Sequence, residues 1–119
     1  MSKLNYYETL YLTRPDLTDD ELNKVQGKLM ETILGQEGEI YKSDKWAERD
    51  LAYKINNYGK GVYYILVYKA LPSVVSEIEK NLRFLNTEVL RFMTLKIEEA
   101  SALKHKSVSE AKTDQGGIQ

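Results

Sequence analysis

Aromatic rings and guanidinium groups are the side chains of this sequence best suited to recognition, and what they offer is stacking and anion contact rather than bond making. Nine tyrosines, two phenylalanines and one tryptophan could serve as platforms for unpaired bases, each stacked base contributing roughly 1–3 kcal/mol. A tyrosine on a strand more often packs half-buried, so only a minority are expected to act this way. Lys42, Lys45 and Arg49 recur along one extended stretch, and Arg83 and Arg91 follow later. Each could reach a phosphate. The opposing expectation is that Asp44, Glu48 and Asp50 neutralise the first group, and that lysines on an edge strand simply deter aggregation.

Catalytic chemistry finds little support. The single histidine, His105, falls in a polar tail where no pocket would tune its pKa. There is no cysteine, which removes thiol nucleophiles, thiolate metal sites and disulfides. No glycine-rich phosphate loop, metal-ligand spacing or serine elbow occurs, and Gly59-Lys60-Gly61 is too short to count as a nucleotide motif. Glu8, Glu48 and Asp50 lack a spacing that pairs an acid with a base. The sequence therefore predicts no enzyme, no catalytic residue, no metal and no cofactor.

The elements that must position the rings and cations follow from periodicity. Tyr6 to Thr13 is rich in strand formers and is broken by Arg14-Pro15-Asp16. Thr18-Asp19-Asp20-Glu21 has the form of a capping box, and Leu22, Val25, Leu29 and Ile33 follow at helical spacing, predicting a helix from Asp19 to Leu34. Gly35 and Gly38 suit a left-handed helix stop. Glu39 to Asp44 and Leu51 to Ile55 read as one extended run, with a kink or bulge between them. Asn56 to Gly61 concentrates turn formers and predicts a hairpin loop longer than two residues. Val62 to Lys69 is apolar in both parities, as expected of an inner strand. Pro72 and Ser73 open a second helix carrying Val74, Val75, Ile78 and Leu82, and Glu88 to Ile97 supplies a last strand.

The order β-α-β-β-α-β predicts an α+β, ferredoxin-like fold: a four-stranded antiparallel sheet with two helices on one face. The other face is left for water or a partner. Residues 1–97 form the expected domain and 98–119 a polar, disordered tail. With 119 residues, 42% of them hydrophobic and 29% charged, the chain has the balance of one soluble domain. It has no run long enough to span a bilayer, and its N-terminus lacks a secretory signal, so a cytoplasmic location is expected. Seventeen basic and 18 acidic residues leave a net charge of −1, which is no electrostatic footprint for nucleic acid.

Trp46-Ala47-Glu48-Arg49-Asp50-Leu51-Ala52-Tyr53-Lys54-Ile55 resembles the signature of the sixth small-subunit ribosomal protein family of bacteria, G-x-R/K-polar-L-A/S-Y-x-I, usually preceded by tryptophan. Arg49, Leu51, Ala52, Tyr53 and Ile55 match. Ala47 stands where the family commonly has glycine, which would be strained only if that position required a positive φ. Tyr7-Glu8, Pro15-x-Leu17, a glycine-containing turn before a tyrosine-rich third strand, and Val89-Leu90-Arg91 extend the resemblance over residues 5 to 97.

The resemblance implies a structural component of the bacterial small ribosomal subunit that binds small-subunit (16S) ribosomal RNA together with the eighteenth small-subunit ribosomal protein. It implies no membrane and no small-molecule substrate. Trp46, Arg49, Tyr53 and Arg91 are the expected RNA- or partner-binding residues. A fold alone does not fix function. An acylphosphatase-type enzyme and a regulatory ligand-binding domain are therefore the rival classes. The RNA-recognition motif shares the fold, but its aromatic signature is absent from the third strand.

Overall fold

The two stretches with apolar residues in both parities become the two inner strands. In the computed structural model, which describes residues 4–104, the elements run β1 (Asn5–Thr13), α1 (Asp19–Leu34), β2 (Glu39–Ile55), β3 (Tyr58–Ala70), α2 (Pro72–Phe84) and β4 (Val89–Ile97). The sheet has the order β2-β3-β1-β4, with every neighbouring pair antiparallel. β2 and β4 are the edges.

Both helices lie on one face. Val25, Leu29 and Ile33 of α1 and Val74, Ile78 and Leu82 of α2 cover Tyr7, Tyr11, Leu66 and Tyr68 of the inner strands. Each of those six aliphatic side chains contributes about 1.5–3 kcal/mol by leaving water. The buried hydroxyls are satisfied in a chain: Thr9 Oγ1 lies 2.9 Å from the Tyr68 hydroxyl and 2.8 Å from Thr94 Oγ1. Burial pushes the Tyr68 phenol up to about 12, so it stays neutral. The predicted capping box forms at the start of α1, where the Glu21 N–H donates to Thr18 Oγ1 at 3.2 Å and the Thr18 N–H donates to the Glu21 carboxylate at 3.0 Å.

Three expectations are corrected. The hairpin between β2 and β3 has a two-residue loop, because Asn56 and Asn57 both take positive φ (49° and 69°) and Ile55 pairs directly with Tyr58. Asparagine tolerates the left-handed region well enough to make the tight turn. At the end of α1 neither glycine has positive φ; Glu37 does. Gly38 is required by crowding instead, since a Cβ there would stand 2.5 Å from the Ile33 carbonyl oxygen. Finally, the chain does not fray from Glu98. Residues 99–104 are helical, and Ala102 is buried with Ile65 and Val67 on the sheet face opposite the helices. His105 lies outside the described residues.

Candidate functional site

β2 is a 17-residue edge strand whose irregularities create the site. Its pairing with β3 shifts between Ile40 and Lys42, between Lys45 and Ala47, and between Asp50 and Ile55. The second shift makes Trp46 the extra residue of a β-bulge. Bulges bend a strand and re-aim the side chain they carry. Ala47 is not among the positive-φ residues, so this bend accommodates a side chain without strain. The third, longer irregularity falls where Leu51 and Ala52 line a hollow together with Tyr63 and Arg91.

Trp46 meets Tyr63 edge-on, with ring centroids 5.7 Å apart and planes at 72°. Arg49, three residues on, sets its guanidinium carbon 5.8 Å from the Trp46 ring. From β4, Arg91 Nη2 donates a hydrogen bond of 2.9 Å to the Tyr63 hydroxyl. Thus Arg49, Trp46, Tyr63 and Arg91 form a continuous chain of cation, indole, phenol and cation. The Tyr63 hydroxyl, by accepting that bond, holds Arg91 above the usual guanidinium value, and Tyr53 adds to the effect through a hydrogen bond. Arg91 keeps its charge at any physiological pH.

These side chains edge a concavity of about 640 Å³ whose lining also includes Leu10, Asp50 and Met93. Trp46 is 53% and Met93 51% exposed, so the surface is open to a ligand. The four residues expected from sequence are therefore gathered: Trp46, Arg49 and Arg91 line one hollow, and Tyr53, which is 70% exposed, reaches Arg91 from the bend. Lys45 is neutralised by Glu48 at 3.1 Å, as the opposing expectation required, whereas no ion pair is found for Arg49 or Arg91 among the described residues. Arg83 lies elsewhere, over Phe92 at 5.7 Å.

Tyr63 is the residue sequence reasoning missed. Its only sequence signal is a shared alternation with Ile65 and Val67, the face opposite α1 and α2. A second groove, about 830 Å³, runs between α1 and α2, but there Lys28 and Lys80 stand beside Glu31 and Glu77 and no aromatic pair is present. Among the described residues, no three His, Cys, Asp or Glu side chains gather to hold a metal, and no helix is long and apolar enough to cross a membrane.

The element order, strand order and one-sided helices define a two-layer α+β protein of the ferredoxin-like class. Residues 6–96 match the family described as Ribosomal protein S6, and the chain belongs to that family. It is 35% identical over 107 residues to the small ribosomal subunit protein bS6 of Geobacter metallireducens, covering 90% of both chains. Against the protein of the same name from Geotalea daltonii it is 33% identical over 95 residues, covering 80% of this chain and 73% of the other. The crystal structure of 30S ribosomal protein S6 from Thermotoga maritima superposes with a TM-score of 0.69 at 19% identity, covering 98% of this chain and all of that one. That likeness shows the shared fold.

Proposed function

We propose that this chain is a non-enzymatic structural component of the cytoplasmic small ribosomal subunit, and that it binds 16S ribosomal RNA jointly with the eighteenth small-subunit ribosomal protein. The observation that carries this reading, in a chain of a ribosomal family, is a pair of arginines without an ion pair among the described residues, one over the Trp46 ring and one on the Tyr63 hydroxyl, on the sheet face opposite α1 and α2. Such groups contact phosphate without needing a basic domain. The net charge of −1 fits a division of labour in which the partner supplies most of the cationic surface and this chain supplies shape and a few phosphate contacts.

The test is binding of a central-domain fragment of small-subunit RNA by the chain alone, by the partner alone and by the two together, across a salt series. Weak binding alone and tight, salt-dependent binding by the pair is the expected result. Tight binding by the isolated chain would overturn the joint mechanism. Absence of the chain from small subunits purified at moderate salt would overturn the ribosomal role.

A further inference from the structure

We propose that the hollow beside the Trp46 bulge holds one unpaired nucleotide of RNA, its base against the exposed indole and the phosphates on either side of it at Arg49 and Arg91. The inference rests on the ribosomal reading of this face and names the ligand the face takes.

Charge complementarity selects the occupant. Both arginines are exposed, and their fixed partners are a ring and a neutral hydroxyl rather than a carboxylate. An apolar peptide seated here would desolvate two cations without compensation, which is costly. A basic protein partner would add repulsion. A phosphate supplies the missing anion, and guanidinium groups match its geometry with paired donors. The ring surface of Trp46 selects something planar beside the anion. The volume of about 640 Å³ lies within the roughly 300–1,000 Å³ of sites that hold small organic ligands.

A base paired inside a helix cannot reach the indole, so single strands are preferred over duplex.

Trp46 is the only tryptophan, so its emission reports occupancy directly in the full chain. Titration with a cytidine tetranucleotide at low salt should give a saturable change in that emission. A short RNA duplex or inorganic phosphate should have little effect. By anisotropy of a labelled tetranucleotide, Trp46→Ala should bind roughly 5- to 100-fold more weakly. Arg49→Gln and Arg91→Gln should each lower the salt slope by about one. Unchanged circular dichroism separates these effects from misfolding. Equal responses to duplex and single strand would overturn the proposal, as would tetranucleotide binding that leaves Trp46 emission unmoved. If Trp46 responds only to the protein partner while the pair still binds ribosomal RNA, the nucleotide site falls and the ribosomal role stands.

Discussion

Arg91 on β4 reaches Tyr63 on β3 across the whole width of β1, with 2.9 Å between Nη2 and the hydroxyl oxygen. Leu12 is the β1 residue paired with both of them, and the bond arches over it. This arch helps to explain why Leu12 is fully buried on the face that α1 and α2 leave uncovered. Gly61 completes the enclosure, since a Cβ there would stand 2.5 Å from Leu12 Cδ1.

Leu12 should therefore behave as core. Leu12→Ala should lose about 2–5 kcal/mol, as for other buried leucines, and Gly61→Ala about 1–3 kcal/mol by overpacking. Because the closest collision of the added methyl is with the leucine itself, the two losses should not add: Gly61→Ala should cost less in the Leu12→Ala background, where only the 3.0 Å approach to the Thr13 carbonyl oxygen remains. Urea denaturation of the two single variants and the double variant measures this. Additive losses would mean that the glycine is needed for another reason.

Arg49 makes the opposite prediction. It is exposed and its recorded contact is with an indole that is itself half in water, so Arg49→Ala should change stability by less than about 0.5–1 kcal/mol. Assembly with the partner and ribosomal RNA should nevertheless weaken, most visibly at low salt. Thermal melts and RNA binding by the pair check the two halves. A large stability loss with unchanged assembly would assign Arg49 to packing.

Most of the fold was legible because its signals are local. The capping residues Thr18 and Glu21, the 3.6-residue spacing of Val25, Leu29 and Ile33, and the double-sided apolarity of β3 each state their structure within a few neighbours. The site was legible only in part. Trp46, Arg49, Tyr53 and Arg91 could be chosen through the family resemblance, but their meeting depends on a bulge at Trp46 and on a register that sets Tyr63 and Arg91 on opposite sides of Leu12. Register belongs to three strands at once, which is why Tyr63 went unnoticed. The packing of Ala102 was hidden for a similar reason. The helical residues 99–104 lie in a polar stretch with almost no periodicity to display, and their stability comes from the sheet face they meet.

Stability at the start of α1 should depend on acid in a definite direction. The Glu21 carboxylate is held below the usual glutamate range, chiefly by accepting from the Thr18 backbone N–H and also by the Arg14 guanidinium, which lies 2.7 Å away. A folded-state value below the unfolded one, near 4.3, means that the contribution is present above that pH and is lost as pH falls through the lower folded value. Glu21→Gln keeps a side chain able to cap but removes the charge. The stability gap between the native chain and this variant should be widest near pH 6–7 and close progressively below about pH 4. Denaturation curves at pH 7, 5, 4 and 3 provide the check, and a gap that does not vary with pH would rule out the charge as its source.

The segment after β4 gives a prediction with a built-in ceiling. Ala102 is fully buried, as is Val67, and Ile65 is 6% exposed. The Tyr6 hydroxyl donates to Glu99 Oε2 at 3.0 Å, tying the segment to β1. Placing a charge at Ala102 is incompatible with that apolar contact, but a terminal segment can undock, and the loss then cannot exceed what docking contributes. Ala102→Asp and a chain ending at Ile97 should consequently lose the same amount. About 1–3 kcal/mol is expected, because Ile65 and Val67 would regain part of their contact with water while Tyr6, Leu10 and Tyr41 still flank them. Both variants should also expose an apolar surface that binds a hydrophobic dye. Equal losses would identify residues 99–104 as a cover that releases as a unit. A much larger loss for Ala102→Asp than for the truncation would show that the segment cannot release, and that the core of this domain extends past β4 on both faces of its sheet.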